Sequence, residues 1–315
     1  MKKIISVLIP LILLFSFVSC TAAPKTALTI ENAEINEEIY AYYLDKIISN
    51  PAAYSLNSDA GEDEFCAAAA KECKTYLAIN TAFRDMGLSL TSAKKAEISA
   101  SVNNIWLRSE NYYNKIGVSK QTLNKALTAQ AYEDTIFTAR YDAGRSDASA
   151  EAVIEEYFYS NYISFRTVCV YFTKADGATP MTQAEKNELL AKFAALESGS
   201  STAEAFTQAI LDTGYTASGS VILKKGSDGY PEDFYGKVSE RADSEVFTIV
   251  YDDCVFAVLK ENLRDKGESV YANYRSACIA DLYSAEYDAY IEEYIGGFET
   301  DENKRVISRI YKKLK

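Results

Sequence analysis

A run of β-branched and aromatic residues, ISFRTVCVYFT at 163–173, constrains the fold most, because the long segments on either side of it carry helical patterns. This composition over a short stretch predicts a buried β-strand. Further along the chain we predict a short strand at 220–224 and two strands, EVFTIV and CVFAVLK, joined as a hairpin at 251–253. Two helices follow the first strand, the first opening with the capping-box sequence TQAE at 182–185, and a third helix precedes the hairpin. The predicted order is therefore β-α-α-β-α-β-β, a small sheet with helices against it.

The segments on either side of this unit are predicted to be helical. Asn36 is placed to cap the first of several helices that continue to about residue 145, and helical periodicity returns at 268–295, with Thr300 predicted to cap a last helix. Because a lone long helix cannot bury its apolar stripe, we expect 268–295 to pack back on the N-terminal helices. The predicted fold class is α+β, a helical domain built from N- and C-terminal segments with an inserted β-α-α-β-α-β-β domain. The predicted boundaries are 31–148 for the helical domain, 149–265 for the inserted domain and 266–315 for the C-terminal helices.

The N-terminal sequence, MKKIISVLIPLILLFSFVSC, is typical of a bacterial secretory signal at 1–20, since two lysines precede an apolar run that is too short to span a bilayer. It ends in FVSC, which resembles the lipobox of bacterial lipoproteins and predicts lipidation of Cys20. The alternative is an ordinary signal peptide with an incidental cysteine. With a lipidated Cys20, residues 21–30 would be a tether, and the protein would be exported and anchored to the outer face of the cytoplasmic membrane.

Composition excludes several classes of function. The formal net charge of −12 disfavours nucleic acid, and we predict no nucleic-acid partner. The chain contains no histidine, which removes Ser-His and Cys-His nucleophiles and most zinc sites. We therefore expect neither a metal nor a cofactor.

The cysteines favour free thiols. Apart from Cys20 there are five, an odd number that argues against a complete disulfide framework. Cys169 and Cys254 lie in different predicted strands and could pair only if those strands are neighbours.

Tyrosine is abundant, with 24 copies, and two clusters place aromatic rings beside carboxylates, EEYFYSNY at 155–162 and EYDAYIEEYIGGF at 286–298. One interpretation is that these rings wrap the edge of the core with their hydroxyls in water. The other is that some line a groove for extended, unfolded segments, because aromatic surface binds many sequences at little entropic cost. The candidate client-binding residues are Tyr157, Tyr159, Tyr162, Tyr287, Tyr290 and Tyr294.

The layout as a whole resembles the extracytoplasmic foldases of the PrsA and SurA type. The residues that carry the resemblance are SFRTVCVYFT for a first parvulin strand, GSSTAEAFTQAILDTG with its Phe206 for a following helix, and YPEDFYGKVSE and VFAVLKEN for the closing elements. The resemblance implies a SurA-like helical chaperone domain with an inserted parvulin-like (PpiC-type) peptidyl-prolyl isomerase domain. It also implies that the partners are unfolded or nascent exported polypeptides.

The chain departs from this family at the catalytic positions. Active parvulins carry histidines in the first and last strands, and the corresponding places here fall near Val168-Cys169 and Cys254-Val255. Cys169 and Cys254 are thus weak catalytic candidates, and a place in the core is the favoured interpretation of both. We expect a membrane-anchored chaperone or foldase whose parvulin-like domain is weak or inactive. Two alternatives stay open: an active prolyl isomerase with a histidine-free site, and a solute-binding or structural lipoprotein. The sequence does not predict an oligomeric state.

Overall fold

The computed structural model describes residues 24–142, 148–174, 176–199 and 202–315. Cys20 and the predicted signal at 1–20 lie outside these residues. The described residues form an α+β structure with two small antiparallel sheets. They divide into two compact units, which we call unit 1 and unit 2. Unit 1 is the chain up to Ile136 together with Tyr290–Lys315, and unit 2 is Phe137–Ala289.

Unit 1 is mainly helical. Its helices are α1 (Glu37–Ser49), α2 (Glu62–Asp85), α3 (Ser92–Ile116), most of α4 (Lys120–Tyr141) and, at the C-terminus, α10 (Lys304–Leu314). Its strands are β1 (Thr26–Ile30), β2 (Ala33–Asn36) and β7 (Thr300–Glu302), which pair in the order β2-β1-β7. The predicted cap of α1 is confirmed, since Asn36 Oδ1 accepts a hydrogen bond from the Ile39 N–H at 3.0 Å.

Two details at the ends of unit 1 differ from the sequence-based expectation. Residues 26–30, expected within the tether, form β1, because Ala27, Leu28 and Ile30 are fully buried in the core. Thr300 does not cap the last helix, because it begins β7 and pairs with Ile30. The cap is Asn303 instead, whose side-chain oxygen accepts a hydrogen bond from the Val306 N–H at 3.3 Å.

Unit 2 contains the predicted strand-rich segment. Its helices are α5 (Ala148–Asn161), α6 (Gln183–Leu196), α7 (Ala203–Asp212), α8 (Phe234–Ser239) and α9 (Glu268–Gly296) as far as Ala289. Its strands are β3 (Tyr162–Tyr171), β4 (Val221–Lys224), β5 (Val246–Val250) and β6 (Cys254–Glu261). The element order from β3 to β6 is the predicted β-α-α-β-α-β-β, and the sheet is antiparallel with the strand order β4-β3-β6-β5.

The two faces of this sheet have separate cores, because successive side chains of a strand point to opposite faces. On one face, Val168 and Val170 of β3 pack with Phe193 of α6 and Phe206 of α7. The other face packs against α8 and the loop before it. Its buried members include Phe165, Phe234, Val238, Phe247 and Phe256.

Most of α9 belongs to unit 2, and so does the end of α4, the last of the N-terminal helices. Ring contacts join α9 to this end of α4. The Tyr283 ring stacks on Tyr141 with centroids 5.3 Å apart, and the Tyr287 ring meets Phe137 edge-on at 5.5 Å. Of the C-terminal segment, only Tyr290–Lys315 falls in unit 1. None of the helices that the structure describes is long and apolar enough to cross a membrane.

Candidate functional site

The two candidate catalytic cysteines lie on neighbouring strands of unit 2. In the β3–β6 pairing Cys169 is opposite Phe256, and Cys254 is opposite Tyr171. Two-residue alternation therefore puts both thiols on the same face, diagonal to one another. Cys254 is buried, whereas Cys169 is half-buried, and both are free thiols.

The surface around these thiols consists of the protein's own aromatic rings, and we call it the aromatic face: Phe165, Tyr230, Phe234, Tyr251 and Phe256. The Phe234 ring is central, with centroids 4.5 Å from Tyr230, 5.0 Å from Phe256 and 5.3 Å from Phe165. Tyr230 and Tyr251 are half-buried and the three phenylalanines are buried. The part of this face open to an incoming group is therefore its tyrosine rim, next to Cys169.

The thiols are poor nucleophiles at neutral pH. Burial raises the pKa of Cys169 above its ordinary value. Burial, followed by the neighbouring Cys169, raises the pKa of Cys254 to about 12. Because the thiolate is the reactive form of cysteine, this environment favours two protonated side chains.

A polar cleft of about 430 Å³ lies at the end of the sheet where β3 begins and β6 ends. Tyr159, Tyr162 and Tyr235 contribute rings to its lining, and Lys260 and Arg264 contribute cations. The Arg264 guanidinium lies 3.9 Å from the centroid of the Tyr159 ring, within cation–π distance. The volume lies in the range of small-ligand pockets, enough for a few side chains of a bound chain.

One carboxylate of the cleft, Glu261, is held by four neighbours. It accepts hydrogen bonds from Ser164 (3.1 Å), Arg166 (3.0 Å) and Ser220 (2.5 Å), and it pairs with Lys266 at 2.6 Å. Burial alone would raise its pKa, but the bonds from Lys266, Ser220 and Arg166 outweigh burial and hold the pKa below the ordinary carboxyl value. Glu261 is therefore an ionised structural group and a poor proton acceptor.

The six tyrosines proposed from the sequence differ in exposure and are divided between the two units. Tyr159 and Tyr162 both line the cleft, but Tyr162 is only 5% exposed and Tyr287 only 6%, so neither offers its ring freely. Tyr157 is half-buried on α5. Tyr290 and Tyr294 contact each other on the part of α9 that belongs to unit 1, with centroids 5.3 Å apart.

Sequence reasoning missed most of the cleft. Tyr235 lies in the segment YPEDFYGKV, where three aromatic residues within six positions at the start of a short helix were the available signal. The residues at the end of β6 and just beyond it carried no such signal, since a basic or acidic residue at a strand end is usually a solvated one. The missed residues are Tyr235, Lys260, Glu261 and Arg264.

No protein-family model matches the sequence, and no curated protein is significantly similar to it. Among solved structures, the chain is similar to the foldase protein PrsA from Streptococcus pneumoniae, with 12% identity over 90% of this chain and 98% of that chain and a TM-score of 0.39. It is also similar to PrsA from Lactococcus lactis (12% identity, 92% and 99% coverage, TM-score 0.36) and from Bacillus subtilis (13% identity, 78% and 83% coverage, TM-score 0.27). Similarity at this level assigns neither an activity nor a functional residue to this chain.

Proposed function

We propose that this chain is an extracytoplasmic chaperone or foldase, anchored to the outer face of the cytoplasmic membrane through a lipidated Cys20. Its clients are unfolded or nascent exported polypeptides, and its parvulin-like unit has weak or no isomerase activity. The anchor and the location rest on the N-terminal sequence alone, with its basic residues, apolar run and FVSC motif.

The polar cleft of unit 2 is the observation that carries the binding role. Its tyrosines supply apolar area with hydrogen-bonding tips, and its cations sit beside carboxylates, so it can accept side chains of several kinds. Such a lining suits an extended segment of varied sequence. It lacks the histidine and the ionised thiol that covalent catalysis would use.

The binding role is tested by diluting a chemically denatured model protein into buffer with the full chain and following aggregation by light scattering. We expect concentration-dependent suppression. Replacing Tyr159 and Tyr235 by alanine should weaken suppression by about five-fold or more, since one truncated hot-spot ring costs roughly 1 kcal/mol or more.

Tyr171→Ala is the matched control, because Tyr171 is 59% exposed at the far end of β3 and does not line the cleft. This variant should suppress aggregation as the unaltered chain does. Equal loss in the control and in the cleft variant would reject the cleft as the binding site. No suppression by the unaltered chain would reject the chaperone role and favour the solute-binding or structural alternative.

An active prolyl isomerase is the second candidate, favoured by one observation: the half-buried Cys169 beside the tyrosine rim of the aromatic face. Isomerisation needs no covalent step, only a site that lowers a barrier of about 18–20 kcal/mol. A protease-coupled assay on a proline peptide decides between the two. A rate equal to that of buffer at high protein concentration rejects the proposal of an active isomerase. A faster rate, abolished in Cys169→Ala or Tyr230→Ala, rejects the proposal that the unit is inactive.

The anchor is tested separately by expressing the chain in a bacterium supplied with a labelled fatty acid. We expect label on the chain and recovery in the membrane fraction, and we expect both to be lost in Cys20→Ser. Unlabelled, fully soluble export of the unaltered chain would favour the ordinary signal peptide.

A further inference from the structure

Cys169 and Cys254 satisfy the condition that the sequence left open, because β3 and β6 are hydrogen-bonded neighbours. The two thiols lie on one face and belong to one packed cluster. They are also close enough for each thiol to affect the pKa of the other. Cys278, the third described cysteine of unit 2, interacts with Tyr162 instead.

The distance between diagonal neighbours on paired strands is close to what a disulfide needs. Such residues lie about 7–8 Å apart, and less at their Cβ atoms, whereas disulfides span Cα separations of about 4.4–6.8 Å. A closure of about an ångström between β3 and the first residue of β6 would suffice, and this residue is Cys254, directly after the turn at 251–253.

We propose that Cys169 and Cys254 form a reversible intramolecular disulfide, a modification site at the edge of the aromatic face. The proposal is independent of client binding and of the membrane anchor. It makes the rim formed by Cys169, Tyr230 and Tyr251 sensitive to the redox state of its surroundings.

The chemistry is thiol–disulfide exchange with a small disulfide as oxidant. Cys169, the more exposed thiol, loses its proton and attacks one sulfur of the oxidant, which releases one small thiolate and leaves a mixed disulfide on Cys169. Cys254 then loses its proton and attacks the Cys169 sulfur, and a second small thiolate leaves. Two electrons pass from the protein to the oxidant, and the two protons end on the two small thiols.

The rate should rise with pH, since each attack needs a thiolate and the surroundings favour the protonated form of both side chains.

The test exposes the native full chain to buffers of oxidised and reduced glutathione, quenches with acid, alkylates after denaturation and maps the peptides by mass spectrometry. We expect a cross-linked peptide pair that contains Cys169 and Cys254, lacks two hydrogens and disappears when reduced glutathione is in excess. Cys278→Ser should retain this product, and Cys169→Ser should lose it.

Three results would overturn the proposal: no oxidation of either residue, glutathione adducts on Cys169 without the cross-link, or a cross-link from either residue to another cysteine. Because the peptide map of the unaltered chain is sufficient, the test does not depend on whether a serine variant folds. The same oxidation in denaturant is the control for scrambling, since an unfolded chain should give mixed pairings. If the native and denatured chains give the same mixture, the fold does not direct the pairing and the proposal fails.

Discussion

Replacing Glu261 by glutamine tests the electrostatics of unit 2 most directly. Glu261 ties together β3 through Ser164 and Arg166, the residue before β4 through Ser220, and the turn after β6 through Lys266. Glutamine keeps the size and one acceptor oxygen but removes the charge. Two cations are then left facing each other across a neutral amide.

The expected loss follows from the burial of the three charged side chains. The Glu261 side chain is 9% exposed, Lys266 is 21% exposed and Arg166 is 26% exposed. Breaking a fully buried pair costs about 3–5 kcal/mol, and a hydrogen bond to a charged group contributes about 1.5–3 kcal/mol. Because the two cations retain some water, we expect a loss of about 2–4 kcal/mol, which corresponds to a fall of roughly 1–2 M in the urea midpoint of unit 2.

The stability difference between the unaltered chain and Glu261→Gln should become smaller as the pH falls. The hydrogen bonds lower the folded pKa of Glu261 from its ordinary value near 4.5. The stabilisation is therefore fully present above that value and is lost as the pH falls through the lower folded pKa. Since the glutamine variant has no proton to gain here, the gap between the two proteins should close on acidification.

The assay must report unit 2 alone, and the distribution of probes allows this. Cys254 is buried in unit 2, so pulsed alkylation in urea reports the opening of that unit, while Trp106, the single tryptophan, reports unit 1 by fluorescence. Glu155→Gln, a change at an exposed position of α5, is the matched control. It should change the free energy of unfolding of unit 2 by no more than about 0.5 kcal/mol. A change in unfolding free energy for Glu261→Gln within that same margin would refute the reasoning. So would a stability difference between the two proteins that widens as the pH falls.

Two further perturbations have expected outcomes. Arg275→Leu removes a bidentate contact with Glu151 (Nε–Oε1 3.0 Å and Nη2–Oε2 2.8 Å). It should destabilise unit 2 by about 1–2 kcal/mol, a value reduced because both side chains are partly exposed to solvent. The loss should shrink at high salt, and a salt-independent loss in the pulsed alkylation assay would count against an ionic cause. Gly117→Ala should cost unit 1 about 1 kcal/mol in urea unfolding followed by tryptophan fluorescence, because Gly117 has φ 82° and a Cβ would lie 2.8 Å from Lys313 Nζ. Gly87→Ala, at φ 65° with open space around it, carries only the backbone cost, so a larger loss there than at Gly117 would contradict the contact.

Local patterns were sufficient to predict the elements of unit 2. The TQAE sequence gives the capping box that the structure confirms, with Thr182 Oγ1 accepting from the Glu185 N–H at 3.3 Å and Glu185 accepting from the Thr182 N–H at 2.7 Å. Strand order could also be anticipated in part, because two strands joined by a tight turn pair with each other. These features depend on residues a few positions apart.

Features that depend on distant residues were not predictable in this way. The strand at 26–30 is buried and pairs with the strand at Thr300–Glu302. The sequence near residue 26 carries no pattern that predicts this distant partner. The same applies to the cleft, which gathers α5, the start of β3, α8 and the end of β6. Tyrosine clusters predicted the local density of rings but not their exposure, because Tyr157 and Tyr159 lie on α5 and Tyr162 begins β3, and packing alone decides which ring is covered.

Glu261, Cys169 and Cys254 of unit 2 are each held in a form that is unsuited to proton transfer or covalent attack. A general base needs a pKa near the working pH, and the lowered pKa of Glu261 together with its four donors makes that carboxylate unfit for the role. A nucleophile needs an ionised form, which the burial of Cys254 opposes. The cleft also presents the half-buried rings of Tyr159 and Tyr235, and the Arg264 guanidinium stacks on the first of them, an arrangement that offers cation–π and apolar contacts.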